Sequence, residues 1–392
     1  MNRNADPMLY VHIPFCVRKC HYCDFLSFPC NHPGGSEEIS SYLAALNKEI
    51  LLTGRESNGG VLSSVFVGGG TPSLLKPEQF ETLGEAIREA FILEKRTEWT
   101  LEANPGTITR EKAAAWKKAG VNRISMGVQS FDDDLLQTLG RIHRRDAVLE
   151  SYEILREAGF ENVSMDLMFG LPDQTMDTWK QTLEEAASLK PEHLSCYGLI
   201  IEEGTPFYER QKELALPEEE TEREMYHYAI RFLKDRGYAQ YEISNFALPG
   251  GESRHNTGYW QRRPYYGVGL GAASLLPGDV RCSNTRSMEK YLQVLGKCED
   301  SCDLLALIRE SVTSLSCAEA MEEFMFLGFR MNEGVSEEDF LRSFHIDMKK
   351  VYGKVLEKYH KEGLLREREG RWSLTEQGID VSNVILADFL ME

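Results

Sequence analysis

The sequence predicts an α/β fold built on a parallel sheet, followed by a small helical domain. Through the first 240 residues, short apolar or β-branched runs alternate with amphipathic stretches, which is the pattern of repeated βα units. Strands are predicted at residues 9–14, 64–68, 98–103, 123–128, 162–168 and 193–200. A (β/α)6 partial barrel and an open doubly wound sheet both fit this pattern, and in both of them ligands bind at the carboxyl ends of the strands.

Amphipathic periodicity predicts a helix after each of these strands, and glycines at 120 and 159 follow two of the helices, as C-caps prefer. The predicted helices cover residues 39–53, 77–91, 110–118, 146–158, 178–189 and 218–236. Beyond residue 240 the βα rhythm fades, so we divide the chain into a core domain (1–240), a connecting region (241–300) and a C-terminal domain (301–392).

The C-terminal domain has a winged-helix-like pattern. Helices are expected at residues 318–330, 337–344 and 349–362, and two short strand-like runs follow at 363–366 and 371–375. Domains of this type often bind DNA. The acidic charge of the chain favours packing or protein recruitment instead.

Composition excludes several classes of function. The chain has 392 residues with 44 Lys and Arg against 62 Asp and Glu, a net charge of −18, which disfavours binding to nucleic acid or an anionic membrane. No apolar run approaches the roughly 20 residues of a membrane span, so an integral membrane protein is not expected. Nine cysteines without a secretory signal predict a reducing, cytoplasmic location.

The cysteines at the start of the chain carry the strongest chemical signal. Cys16, Cys20 and Cys23 form a C-x3-C-x2-C run directly after the first predicted strand. Three thiolates can bind three irons of a [4Fe–4S] cluster and leave the fourth iron open to a small molecule. A structural zinc site is the main alternative, but it usually needs a second ligand pair, which the sequence does not offer nearby. The spacing resembles that of the radical S-adenosylmethionine (SAM) superfamily, which implies SAM on the open iron.

Further polar or glycine-rich segments stand at predicted strand ends. Residues 68–72, Gly-Gly-Gly-Thr-Pro, allow close approach of the backbone to a ligand, although a plain turn is the alternative. Glu102, Gln129 and Asp166 each lie at or near the end of an apolar strand, where a buried polar group needs a hydrogen-bond partner or a ligand. Arg141 could bind a carboxylate, although a single arginine is more often a solvated charge.

Together, residues 9–16, 68–72, 125–131 and 166–172 resemble the oxygen-independent coproporphyrinogen III oxidase group of radical SAM proteins. The resemblance covers nearly the whole chain and favours the partial barrel. It implies that Cys16, Cys20 and Cys23 bind the cluster. It also implies contacts with SAM from Tyr10, Gly69, Gly70, Thr71, Glu102, Gln129, Arg141 and Asp166.

Two features distinguish the branches of this group. The oxidases carry a further cysteine two residues after the triad, and Phe25 occupies that position here, after Asp24. Residues 255–260, His-Asn-Thr-Gly-Tyr-Trp, resemble an HNxxYW motif associated with heme in a second branch of heme chaperones. That resemblance implies heme binding by His255, Tyr259 and Trp260, although a histidine beside aromatic residues is also common in protein cores.

We therefore expect a protein that binds heme and delivers it to acceptors such as respiratory hemoproteins. The cluster and SAM would serve assembly, formation of a homodimer, or transfer, and oxidase activity is not expected. The main alternative is a radical SAM oxidase that removes hydrogen from porphyrinogen propionates. A radical SAM enzyme with another substrate is a third reading, because fold and cofactor do not determine the reaction.

Overall fold

The computed structural model describes residues 6–32 and 34–391. The strands are β1 (Met8–Ile13), β2 (Phe15–Cys16), β3 (Phe28–Pro29), β4 (Val61–Gly69), β5 (Ile92–Ala103), β6 (Arg123–Gln129), β7 (Val163–Phe169), β8 (His193–Gly198), β9 (Ala239–Gln240), β10 (Asn245–Ala247), β11 (Tyr265–Val268), β12 (Ala273–Leu276), β13 (Val280–Asn284), β14 (Arg309–Ser314), β15 (Val335–Ser336), β16 (Leu365–Arg368) and β17 (Arg371–Leu374).

The α-helices are α1 (Gly35–Glu56), α2 (Pro77–Ala90), α3 (Arg110–Ala119), α4 (Asp133–Thr138), α5 (Arg145–Glu157), α6 (Met176–Ser188), α7 (Pro206–Glu209), α8 (Glu219–Lys234), α9 (Arg254–Trp260), α10 (Met288–Leu295), α11 (Asp303–Ile308), α12 (Cys317–Gly328), α13 (Glu337–Phe344), α14 (Met348–Lys361), α15 (Glu376–Asp380) and α16 (Ser382–Ala387). None of the helices in the described residues is both long and apolar enough to cross a membrane.

The six predicted strands form the centre of the main sheet. They lie in the order β1-β4-β5-β6-β7-β8, and each neighbouring pair is parallel, as the βα pattern predicts. The prediction of a (β/α)6 partial barrel is confirmed. The carboxyl ends of all six strands therefore meet at one end of the barrel, which is where the cysteine triad follows β1.

The sheet continues through residues 245–314, where no strands were predicted. β11 adds to β1 in parallel, and β12, β13 and β14 extend that edge as antiparallel strands. β10 adds antiparallel to β8 at the other edge. The whole sheet has 12 strands within the described residues. The boundary at residue 240 remains a prediction, although residues on both sides of it share one sheet.

The two faces of the barrel strands differ in polarity. Leu9, Val11 and Ile13 of β1 are fully buried in the large apolar core, under helices such as α1. Alternate positions point the other way because side chains alternate along a strand. On the central strands these inward positions are mainly polar, as with Glu98 of β5, Ser125 of β6 and Asp166 of β7. The interior of the barrel is thus a polar lumen.

The C-terminal domain has its own apolar core, formed by helices α12, α13 and α14 against a small sheet of strands in the order β15-β17-β16. The two-stranded wing pairs Leu365 with Leu374 and Arg368 with Arg371. The helices and the wing agree with the winged-helix-like prediction.

Ion pairs join this domain to the barrel. Glu323 of α12 is 12 % exposed, and it accepts hydrogen bonds from Arg262 Nε at 2.6 Å and Arg281 Nε at 2.7 Å. The guanidinium of Arg330 lies 4.4 Å from the ring centre of Trp260. One carboxylate of the C-terminal domain therefore bridges two arginines of the barrel side.

Candidate cluster and cofactor site

A cavity of about 400 Å³ opens at the carboxyl ends of the barrel strands. It brings together most of the residues predicted for the cluster and for SAM. Its walls include Cys16, Cys20, Cys23, Gly69, Gly70, Thr71, Glu102, Gln129, Arg141 and Asp166. Residues from five strands and three loops, distant in sequence, thus share one site.

The cysteine loop is tied to the barrel on two sides. Gly70 N–H donates to the carbonyl of Ile13 at 2.8 Å, and the peptide N–H of His21 donates to the carbonyl of Leu139 at 3.0 Å. Arg18 Nη2 also donates to the carbonyl of Gly140 at 2.8 Å. These bonds hold the loop over the cavity, which orders the thiols before any cofactor binds.

The thiols themselves accept hydrogen bonds from neighbouring strand ends. Thr71 Oγ1 donates to Cys16 Sγ at 3.4 Å, and Arg141 Nη1 donates to Cys20 Sγ at 3.6 Å. Burial raises the pKa of Cys23 to about 11, so its thiol needs a bound metal to lose its proton at neutral pH. Among residues 6–32 and 34–391, no three His, Cys, Asp or Glu side chains are grouped closely enough to hold a single metal ion.

Arg141 is held inside the cavity, unlike the solvated charge that is the common case. Its Nη2 donates to Asn104 Oδ1 at 2.6 Å and to the carbonyl of Gly127 at 2.7 Å, and no bond to Nε is found within the described part of the chain. A side chain on Gly127 would collide, because its Cβ would lie 2.9 Å from Asn104 Oδ1. The guanidinium is therefore fixed, with one buried donor still available to a ligand.

Gln129 ends β6 in an unusual conformation. Its φ is +68°, in the left-handed region that is rare for a residue other than glycine, and the pairing with β7 shifts register between Gly127 and Gln129. The bulge places Gln129 in the cavity wall. Strain of this kind is often found at ligand sites.

Two carboxylates, on the strands β5 and β7 either side of β6, face the cavity. Glu102 Oε2 accepts the peptide N–H of Gly69 at 3.0 Å, while Asp166 accepts hydroxyl bonds from Ser125 at 3.0 Å and Ser195 at 2.8 Å. Burial, followed by the charge of Asp166, raises the pKa of Glu102 to about 8. Burial also raises the pKa of Asp166, against the hydroxyl bonds that lower it. Burial therefore disfavours the charged form of both carboxyl groups, although both remain available as hydrogen-bond acceptors.

The glycine segment serves packing as well as ligand access. Gly69 has φ +110°, and a Cβ there would lie 2.4 Å from the ring of His12. A Cβ on Gly70 would lie 2.6 Å from the carbonyl oxygen of Phe15. Only glycine allows β4 to approach the start of the cysteine loop this closely.

Tyr10 lies in the lumen beside this cavity but does not line it. Its hydroxyl forms a hydrogen bond with His12 Nδ1 at 2.9 Å, and its ring stacks on Phe66. A direct contact of Tyr10 with SAM remains a prediction.

His255 lies at the opposite end of the barrel. The helix α9 begins where the strands begin, and Glu98 accepts the N–H groups of Arg254 at 2.9 Å and His255 at 3.0 Å. Six residues of β1 at about 3.3 Å each separate the two ends by roughly 20 Å. His255 is 1 % exposed, and its ring bonds Ser64 Oγ and the Tyr259 hydroxyl, both at 2.9 Å. The imidazole is therefore buried, with both nitrogens engaged.

The other two residues of this motif have different environments. Tyr259 is packed edge-on between His255 and Tyr265, with ring centres 4.7 Å apart on each side. Trp260 is half-buried and lines a second cavity, against the C-terminal domain. Within the described residues its Nε1 has no hydrogen-bond partner. Trp260 is thus the member of the motif that reaches a space where a ligand could bind.

Asn104 and Gly127 were missed from sequence. Asn104 links the site, because it accepts from Arg141 at 2.6 Å and donates to Thr71 Oγ1 at 3.0 Å. The sequence could have indicated Asn104, because it follows Glu102 by two residues and therefore continues the same face of β5.

The residues fit a [4Fe–4S] cluster with SAM. Three thiols line one mouth of the cavity, and the free Nε of Arg141 is a donor for a carboxylate. Glu102 and Asp166 offer acceptors for hydroxyl or amino groups. These are the groups that the amino acid and ribose parts of SAM require.

Comparisons with known proteins agree with this geometry. The Radical SAM superfamily model matches residues 10–186, and the HemN C-terminal domain model matches residues 315–381. The heme chaperone HemW of Bacillus subtilis is 38 % identical over 98 % of this chain and 99 % of its own length. The heme chaperone HemW of Lactococcus lactis is also 38 % identical, over 98 % of this chain and 97 % of its own.

Among solved structures, the coproporphyrinogen III oxidase HemN from Escherichia coli, a radical SAM enzyme, matches all of this chain and 92 % of its own with a TM-score of 0.84. Its identity to this chain is 24 %, so this likeness shows a shared fold. The prediction of a [4Fe–4S] cluster and SAM agrees with the superfamily match. The chain belongs to the HemW family of radical SAM proteins.

Proposed function

We propose that this protein is a cytoplasmic heme chaperone that binds heme and transfers it to acceptor hemoproteins, with respiratory hemoproteins as the first candidates. The observation that carries the proposal is the full-length match to two relatives named as heme chaperones. Phe25, where the oxidases have a further cysteine, supports the same branch. Assembly as a homodimer remains a prediction.

The residues of the cluster site have defined tasks in this proposal. Cys16, Cys20 and Cys23 would hold the cluster, and Arg141 would orient the SAM carboxylate through its free Nε. When bound, the cluster and SAM supply one-electron redox chemistry. Glu102 and Asp166 would hold hydroxyl or amino groups of SAM.

The predicted heme ligand His255 has a specific requirement. Burial and the charge of Arg123 lower the pKa of His255 to about 3, so the imidazole is neutral, as a ligand of heme iron must be. Both of its nitrogens are bonded, so ligation through Nε2 would break the bond to Tyr259. Heme binding at this residue would therefore displace part of α9.

An anaerobic heme titration followed by absorption spectroscopy tests the function. We expect saturable binding with a shifted Soret band, and transfer of heme to an apo-hemoprotein in a coupled assay. His255→Ala and His255→Gln separate iron ligation from packing, because glutamine can replace hydrogen bonds but is a poor heme ligand. An unchanged Soret band in both variants would remove His255 as a ligand, and a lack of saturable heme binding by the unaltered protein would refute the chaperone.

Oxidase activity is the second candidate, and the intact three-thiol cavity with its SAM-type residues favours it. Reconstituted protein would be incubated with SAM, a reductant and coproporphyrinogen III, and the products analysed for vinyl groups. Catalytic formation of vinyl products would establish the oxidase. We expect none.

A further inference from the structure

A second cavity, of about 320 Å³, lies between the barrel and the C-terminal domain. It is separate from the cluster cavity, and it is lined by the end of α9, the turn between β12 and β13, and the helices α12 and α13. Volumes of this size are typical of small-molecule sites. No function described above uses it.

The walls of this interdomain cavity are mainly apolar. Leu275 comes from the barrel side, and Phe324, Met331, Val335 and Phe344 come from the C-terminal domain. All five belong to the buried set of their domains. Such a surface is suited to the apolar body of a ligand.

The carboxylates that line the cavity are already matched to arginines. Asp279 lies 3.0 Å from Arg262, Glu333 lies 3.7 Å from Arg371, and Asp339 lies 3.4 Å from Arg342. The negative charges of the cavity are therefore balanced by their own partners.

Arg263 is the unmatched charge of this cavity. Its Nε donates to Gln261 Oε1 at 3.2 Å, and in the described residues it has no carboxylate within ion-pair distance. Burial lowers its pKa, and the more distant Asp6 offsets only part of that effect. Its stem packs over α9, since a Cβ on Gly258 would lie 3.5 Å from Arg263 Cδ. A half-buried guanidinium without a counter-ion can bind an anion through charge-assisted hydrogen bonds.

We propose that the interdomain cavity binds an apolar ligand that carries a carboxylate, with Arg263 as the counter-ion and Trp260 as one wall. On the basis of the proposed function, the ligand is heme, whose propionate edge enters the cavity. The C-terminal domain thereby becomes part of the binding site, and the Glu323 bridge to Arg262 and Arg281 keeps the site assembled.

The test compares heme with its dimethyl ester, which keeps the macrocycle and removes both carboxylates. We expect the unaltered protein to bind heme about tenfold more tightly than the ester, the usual worth of one charge-assisted contact. Arg263→Met should lose this preference while keeping the apolar stem, and Arg263→Lys should retain part of it. Arg210→Met is the control, because Arg210 is exposed and remote from the cavity.

A fluorescent fatty acid, dansyl-undecanoate, tests the same chemistry without a tetrapyrrole. If the protein binds heme with an unchanged preference in Arg263→Met, the cavity proposal is wrong while the chaperone function stands. If the protein binds no heme but binds the fatty acid with dependence on Arg263, the cavity is a carboxylate site and the heme proposal fails. If neither ligand binds, both are wrong.

Discussion

Replacing Glu102 with glutamine should stabilise the protein without SAM at alkaline pH and weaken its affinity for SAM. The Glu102 side chain is half-buried at the wall of the cluster cavity, and its pKa is raised to about 8 by desolvation and by Asp166. Glutamine keeps an oxygen that can accept the N–H of Gly69, but it cannot become charged. The substitution therefore removes the cost of a buried charge with little change in shape.

The sign and size of the effect follow from proton linkage. Because the folded pKa lies above the unfolded value of 4.5, the stability contribution of Glu102 is fully present below pH 4.5 and is lost as the pH rises through 8. At about 1.4 kcal/mol per pH unit, the loss is at most about 5 kcal/mol. Water in the open cavity screens the charge, so we expect roughly 2–3 kcal/mol.

Urea unfolding of the cluster-free protein from pH 4.5 to 9, followed by tryptophan fluorescence, measures this effect. The unaltered protein should lose stability with rising pH relative to Glu102→Gln, and the two should converge near pH 4.5. Glu150→Gln, an exposed carboxyl on α5, is the control and should track the unaltered protein. If the free energy of unfolding changed with pH equally in Glu102→Gln and in the unaltered protein, the cost assigned to burying the Glu102 charge would be refuted. SAM affinity of the reconstituted protein should fall about tenfold in Glu102→Gln.

Other substitutions test the remaining parts of the structure. Serine at any cysteine of the triad should abolish reconstitution of the cluster, measured as iron per chain, whereas serine at the exposed Cys317 should not. Arg141→Lys should lower the affinity for SAM about tenfold, measured by equilibrium dialysis. The compact ammonium of lysine lacks the planar fork with which a guanidinium can hold Asn104, Gly127 and a carboxylate together. Glu323→Ala should leave Arg281 without an ion pair and Arg262 with Asp279 alone, and should weaken the domain contact by about 2–3 kcal/mol, visible as faster hydrogen exchange in α12; unchanged exchange would contradict the bridge.

Sequence was sufficient where the hydrophobic pattern was long and regular. The predicted strand at 123–128 is found at Arg123–Gln129, and the predicted helix at 337–344 has the same limits in the structure. Each element buries apolar residues on one face, so apolar residues recur in the sequence at the period of a strand or of a helix. The strands β10 to β13 were missed because they are three to five residues long, too short for either period to show.

The candidate site was predictable for a related reason. Carboxyl ends of parallel strands meet, so the positions of Glu102 and Asp166 in their predicted strands were enough to bring the two side chains together. The surroundings of His255 were not predictable, because Ser64 and Glu98, which bond its ring and its peptide N–H, lie more than 150 residues away in the chain. Nothing in the motif itself indicates that these partners come from the two barrel strands β4 and β5.

The polar lumen connects the two ends of the barrel physically. A barrel filled with apolar side chains would offer no acceptor to the first N–H groups of α9, but here Glu98 accepts two of them. That carboxylate stands two inward positions before Glu102 on β5, so one strand carries an anchor for α9 near its middle and an acceptor in the cluster cavity at its end. Displacement of α9 by heme at His255 would act on Glu98 directly, whereas a ligand held by Arg263 and Trp260 would leave α9 docked. Heme bound at His255 is therefore expected to alter the cluster cavity through β5, and heme bound only in the interdomain cavity is not.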